Sequence, residues 1–543
     1  TLHPITTLLL LLTERLALPC LLLSMVSGLL QTWYERARLG DPYPLYSVSN
    51  IGSMSALILY PVLIEPRFGI HASLSGWTTA FVFLAALCAA TAFLAGRERR
   101  QEAAVETADP ISLKQLLLWI GLSALNSVVL LAYTTYLTID IAPVPLLWVL
   151  PLCLYLLSFI ICFGNPRHYY RAFYLYLGPA LWGAEMFVRS TAYLEVPITL
   201  AIVFCFCMTL TGELVLVRPK AAQLPTFYLA IAFGGVLGAM FVDLAAPMLF
   251  GFYAEPYLIA LLMACLLVQI AMKEDVRVFK DVWLNNALVI AIFYIYLLTT
   301  GVCLYWKFDG AVANFRNFYG AVSVLKKDNK MILRNGMTIH GEQFIDPVKR
   351  DEPTKYYRHD AGLGSIDEYV RKKRAGKPIK IAVTGLGTGT MACYGRAGDE
   401  LTFYEIDPKI EPIARRYFSF LNDSKANISV VTGDARQQLA KAPPSNRDWI
   451  LVDAFNGDAI PVHLLTEEAV KLYFKHLSRG GLLVFHISNR YLDLAPVIAN
   501  LASALKLHAL SVESDTARFV VVCQDPVDIK AEAKTVVHAT KID

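Results

Sequence analysis

Charged residues are scarce in this chain. Lys, Arg, Asp and Glu make up 17% of 543 residues, against 56% hydrophobic. The mean hydropathy of +0.47 lies above the range of ordinary soluble proteins. The shortage is confined to the part before about residue 306, after which charges are spread throughout. A single soluble domain is therefore excluded, and the length calls for two or more domains. The formal net charge is only +4, without the basic excess that a nucleic-acid partner requires. Cysteine chemistry is missing too: the ten cysteines form no CxxC pair and no Cys/His cluster at zinc spacing. No metal is expected, and the cysteines read as small apolar packing residues in a reducing compartment. The first apolar run leads into more apolar chain rather than a soluble segment, so no cleavable signal peptide is expected.

What fills the first part is a series of apolar runs of spanning length. They lie near 5–31, 48–66, 75–96, 114–136, 146–163, 171–190, 196–217, 226–249, 256–272 and 282–306. The expectation is a polytopic helical domain over 1–306 with about eight to ten helices in a bilayer. Alternate connections are basic ("YERARLG", "GRERRQ", "NPRHYYR", "VRPK", "MKEDVRVFK"), which places those loops in the cytoplasm. Ten crossings conflict with the basic stretch just after 306, so the expectation is that one of the ten segments does not cross or that a further crossing exists. Asp140, Glu185, Glu213, Asp243 and Glu255 lie in or near spans, where a carboxylate lines a pathway or finds a partner inside the bundle. Glu213 and Asp243 are the pathway candidates. Gly234 and Gly238, four apart, signal close helix packing.

Beyond residue 310 the pattern changes twice. Over 310–376, short apolar runs broken by "KKDNK" and "RNG" read as a small antiparallel sheet, a substrate or lid subdomain. Over 377–530, "IKIAVTG", "ELTFYEID", "ISVVTGD", "DWILVDAF" and "GGLLVFHIS" alternate with amphipathic stretches. That alternation is a doubly wound, Rossmann-like α/β domain, with ligands expected at the carboxyl ends of its strands. Those ends carry Gly385, Gly387 and Gly389 in "GLGTG", then Glu405, Asp434, and finally Asp453 with Asp458. Glycines let a ligand approach the backbone, and Glu405, twenty residues after Gly385, sits where an acid accepts from ribose hydroxyls. Asp434 is placed to accept from an adenine amino group. The loop lacks the lysine of a P-loop and is surrounded by acids, which suits a cationic adenosine ligand such as S-adenosylmethionine or its decarboxylated form.

On these residues the chain resembles the spermidine synthases (polyamine aminopropyltransferases) over roughly 315–525, and as a whole the bacterial membrane-fused members of that family. "RNFYGAVSV", "GMTIHGEQ", "TKYYRHDAGLG", "DAFNGDAIPVHLLT" and, in the apolar part, "PLLWVLPLCLYLLSFI" carry the likeness. The resemblance implies that Glu405 holds ribose, Asp434 holds adenine and Asp453 orients and deprotonates an attacking amine. It makes Tyr356 or Tyr357 the site tyrosine, puts His340 near a family glutamine, and puts His486 where the family has an acceptor-side glutamine. The two loop acids, Asp453 and Asp458, are five apart rather than three, which leaves the role of Asp458 open.

The main departure is Thr388. The family's usual GGGDG loop has there an aspartate that grips the aminopropyl ammonium of the decarboxylated donor. Two unit charges about 4 Å apart interact by roughly 4 kcal/mol at intermediate dielectric, so threonine removes much of the discrimination against intact S-adenosylmethionine. The sequence reading accordingly leans to a membrane-bound lyase that cleaves the sulfonium C–S bond of S-adenosylmethionine, releasing 5′-methylthioadenosine and homoserine lactone. Its alternative is aminopropyl transfer from the decarboxylated form to putrescine, giving spermidine. A methyltransferase, or a transporter or sensor with a ligand-binding domain, stays open. The expected setting is the bacterial inner membrane with the catalytic half in the cytoplasm. The expected partners are a small-molecule substrate, a polyamine as acceptor, and lipid, with a homodimer allowed.

Overall fold

The computed structural model describes residues 4–37, 39–97, 110–141, 147–188, 192–220, 223–273, 276, 281–336, 338–455, 460–488, 493–514, 517–529 and 533–536. The chain divides into two compact units, one of residues 1–137, 144–249 and 253–304, the other of 138–143, 250–252 and 305–543.

The first unit is helical: α1 (Pro4–Arg36), α2 (Tyr43–Leu59), α3 (Ile70–Arg97), α4 (Leu113–Thr135), α5 (Val149–Gly164), α6 (Arg171–Val188), α7 (Ala192–Leu216), α8 (Leu224–Met240), α9 (Ala246–Leu249), α10 (Glu255–Lys273) and α11 (Val282–Phe308). Among the described residues, eight helical segments are long and apolar enough to cross a membrane. Of the ten runs read from sequence, the fifth and sixth fall outside that set, the fifth because α5 has only 16 residues. Large apolar side chains stand outward, as on Leu8 to Leu12 of α1, each 44–55% exposed; such a surface is costly in water and neutral in hydrocarbon.

Inside the unit, several polar groups find protein partners. A Cβ on Gly234 or Gly238 would lie 2.4 Å from the Ile120 carbonyl oxygen or 2.3 Å from that of Ala124, so α8 approaches α4 backbone to backbone. Ser123 donates to the Ile231 carbonyl across that contact at 2.7 Å. Asn126 donates to Thr211 at 2.9 Å, which pairs with Ser158 at 3.0 Å. Arg171 meets Glu213 through two nitrogens at 2.7 Å each, and Tyr169 donates to the same carboxylate. Glu213 is therefore an internally paired acid, which answers its candidacy for a pathway with the plainer alternative.

The second unit opens with an antiparallel sheet in the order β1-β2-β3-β4: β1 (Ala311–Asn317), β2 (Gly320–Lys327), β3 (Lys330–Asn335) and β4 (Thr338–Phe344). After α12 (Gly362–Lys373) come β5 (Lys380–Thr384), β6 (Glu400–Glu405), α13 (Ile410–Tyr417), α14 (Phe420–Asp423), β7 (Asn427–Thr432), α15 (Ala435–Lys441), β8 (Arg447–Val452), α16 (Glu467–His476), β9 (Leu477–His486), α17 (Ala495–Ala504), β10 (His508–Glu513), β11 (Arg518–Cys523) and β12 (Ala533–Val536). These strands form one sheet in the order β12-β10-β11-β9-β8-β5-β6-β7. The five strands expected from sequence are β5 to β9, and they pair in parallel. β10 to β12 extend the sheet antiparallel, beyond the five-strand expectation.

Period-two alternation explains why the sheet is covered on both faces. Val383, Leu401, Phe403, Trp449, Leu451, Leu482 and Val484 belong to one apolar cluster. Their neighbours Ala382, Tyr404, Ile450, Val452, Leu483 and Phe485 belong to another. Each fully buried large side chain contributes about 1.5–3 kcal/mol. Before the start of β6, Arg371 is buried between Asp367 (2.7 Å) and Asp399 (3.0 Å), and it also donates to the Tyr394 carbonyl.

Candidate active site

The chain leaves β5 toward β6 on one side while β8 lies on the other, so the carboxyl ends of β5 and β8 bracket the crevice where such sheets bind ligands. Local geometry demands the glycines there. Gly385 has φ +92° and its Cβ would lie 2.5 Å from the Asp453 carbonyl oxygen; Gly387 has φ +54° and its Cβ would lie 2.9 Å from that of His340. The loop thus fits between the end of β8 and the backbone of β4, and any side chain would push one of them away.

Glu405 ends β6. Its oxygens accept from the Leu386 N–H (2.9 Å) and the Asp407 N–H (3.0 Å), which ties it to the glycine loop. Burial pushes its carboxyl above the usual range, and those backbone donors partly offset the rise. Asp434 caps α15 by accepting from the Gln437 N–H at 2.8 Å, and its other oxygen meets His463 at 2.7 Å. Sequence reasoning did not single out His463, which lies twenty-nine residues on within "DAFNGDAIPVHLLT". Thr388 is buried; its hydroxyl pairs with that of Thr390 at 2.7 Å, and its side chain packs on Gly341. His340 contributes its carbonyl above Gly387.

Asp453, just past β8, is the centre of the arrangement. The Tyr357 hydroxyl donates to one carboxylate oxygen, and His486 Nδ1, at the end of β9, lies 2.6 Å from the other. Tyr356 stacks near both: its ring centroid is 4.7 Å from that of Tyr357 and 4.2 Å from that of His486. Phe455 (5.0 Å) and Phe519 (4.9 Å) complete the collar around the imidazole; sequence reasoning singled out neither, although Phe455 lies within "DAFNGDAIPVHLLT". Tyr394 donates to the Tyr357 carbonyl at 2.6 Å and so braces that turn. Burial, then the Asp453 charge, raises both Tyr356 and Tyr357 far above the ordinary phenol value, so both remain protonated donors. Asp458 lies outside the described residues.

No family model matches the chain. It is 40% identical over 126 residues to a polyamine aminopropyltransferase of Vibrio vulnificus, covering 21% of this chain and 42% of that protein. It is 35% identical over 111 residues to a probable polyamine aminopropyl transferase of Bifidobacterium longum, covering 20% of this chain and 23% of the relative. The chain thus matches less than half the length of either relative. Among solved structures, a probable spermidine synthase from Corynebacterium glutamicum matches with 17% identity and a TM-score of 0.34 over 41% of this chain and 82% of that one. Over the matched residues the chain is similar in sequence to polyamine aminopropyltransferases.

Proposed function

We propose that this protein is a membrane-bound aminopropyltransferase: it moves the aminopropyl group of decarboxylated S-adenosylmethionine to an amine such as putrescine and releases 5′-methylthioadenosine. The observation that carries this reading is the Asp453 carboxylate held between Tyr357 and His486 at the crevice beside the glycine loop. An amine is a nucleophile only after losing a proton, and a fixed carboxylate within an aromatic collar attracts the ammonium and directs its lone pair. Glu405 is assigned to the ribose hydroxyls, Asp434 to the adenine edge, and Gly385, Gly387 and Gly389 to the close approach of the sulfonium nucleoside. The four-stranded sheet serves as a lid, supported by the closeness of His340 and Gly341 to the loop. Two relatives that bear aminopropyltransferase names favour this reading over the lyase toward which Thr388 leans. Thr388 repels neither donor, so intact S-adenosylmethionine is the competitor to test.

The test incubates the purified full chain with each sulfonium, with and without putrescine, and identifies products by mass spectrometry. Spermidine and methylthioadenosine from the decarboxylated donor are expected. Methylthioadenosine from intact S-adenosylmethionine without an amine would replace the proposal by the lyase, and S-adenosylhomocysteine would replace it by a methyltransferase. The nucleoside donors are cytosolic, so the α/β half is assigned to the cytoplasmic side of the inner membrane. K349C should react with impermeant thiol reagents only in opened cells.

A further inference from the structure

His486 is more than a partner for Asp453. An ionised carboxylate can only accept, so the 2.6 Å contact puts the imidazole hydrogen on Nδ1. In the neutral ring Nε2 is then a bare acceptor. That atom is buried and has no hydrogen-bond partner among the described residues, in a residue only 4% exposed. Buried acceptors are normally satisfied, and this one belongs to the ring that Tyr356, Phe455 and Phe519 surround. Meanwhile both oxygens of Asp453 already receive donors, one from Tyr357 and one from His486.

We infer that Nε2 of His486 takes the proton of the acceptor amine, with Asp453 as the positioning carboxylate that fixes the tautomer and stabilises the imidazolium. This rests on the aminopropyl-transfer reading and deepens it. The acceptor enters as an ammonium and gives one N–H proton to Nε2. Its lone pair forms the new N–C bond at the methylene carbon next to sulfur. The C–S bond breaks and its electron pair stays on sulfur, leaving neutral methylthioadenosine. The product departs as a secondary ammonium, and the imidazolium returns its proton to water. Among the described residues, the charged and titratable groups that face the imidazole are Asp453 after β8 and Tyr356 on the turn before α12, and β11 presents the apolar Phe519.

The experiment uses the full chain with decarboxylated S-adenosylmethionine and putrescine. His486→Gln can still donate an N–H to Asp453 but takes no proton. It should lower kcat by about 100-fold, leave KM for the sulfonium unchanged and abolish the acid limb of the kcat/KM profile. Added imidazole should restore turnover to His486→Gly, whose vacated site matches its shape. Nitrogen NMR of labelled wild-type protein should show the hydrogen on Nδ1. Wild-type turnover and an intact acid limb in His486→Gln overturn the inference alone, as does a bare Nδ1. No methylthioadenosine from wild-type protein overturns the function reading and this inference together.

Discussion

The helical bundle and the Asp453 site arrange their buried polar groups differently. In the helical bundle, Asn126 donates to Thr211, which pairs with Ser158, and Arg171 pairs with Glu213, so these contacts stay among a few neighbouring side chains. In the α/β half, side chains from the ends of β8 and β9 and from the turn before α12 converge on Asp453, and an acceptor on His486 is left over. Glycine divides the same way. Gly234 and Gly238 allow two helices to touch, whereas Gly385 and Gly387 adopt left-handed backbone so that a loop can pass close to the carbonyls of Asp453 and His340. Closed polar pairs hold a fold together; an open, over-determined polar centre is where chemistry is expected.

The sharpest way to break the contrast is Asp453→Asn, which removes the charge at the convergence point. Methylthioadenosine formation should fall by about 1,000-fold or more, while the thermal midpoint changes little; loss of both together would make Asp453 structural. Next come the closed pairs. Arg171→Met leaves Glu213 unpaired in an apolar bundle, and Arg371→Met leaves Asp367 and Asp399 facing each other. Each should cost about 3–5 kcal/mol of stability, read by thermal or denaturant unfolding. Arg171→Met should leave methylthioadenosine affinity unchanged in calorimetry.

A smaller effect is expected from Gly385→Ala. Left-handed backbone costs a residue with a Cβ about 1–2 kcal/mol, and the contact with the Asp453 carbonyl adds displacement of the loop. Nucleoside affinity should drop more than stability. The smallest change is Glu405→Gln. Because burial raises the folded carboxyl above its unfolded value, the unfolded state holds fewer protons as pH rises, so the folded protein loses stability from about pH 4.5 upward. Removing the charge should therefore raise the unfolding midpoint at neutral pH and flatten that slope, while weakening nucleoside binding. A lower midpoint at neutral pH would show the backbone hydrogen bonds from Leu386 and Asp407 outweighing the burial cost.

Much of this was legible in the chain because it is local. Apolar runs longer than a bilayer, strands ending in acid and a glycine-rich turn each depend on residues within one segment, as with β5 to β9 and the Gly385 loop. Thr388 shows the limit. Its neutrality was readable, but its engagement with Thr390 and Gly341 depends on β4 folding over the loop. The antiparallel β10 to β12 and the shortness of α5 were likewise beyond local pattern, since pairing partners and helix ends answer to neighbours.

By itself the sequence determined the two architectures, an apolar helical half and an α/β half with a glycine loop and strand-end acids, because composition and periodicity dictate what must be hidden from water. Only the tertiary structure decided what Asp453 meets. Tyr357 and His486 stand ninety-six and thirty-three residues away from it. Their approach follows from the sheet order that sets β8 beside β9 and from the turn that Tyr394 braces. Side-chain chemistry is written in the residue, but the proton's route depends on distances that folding alone sets.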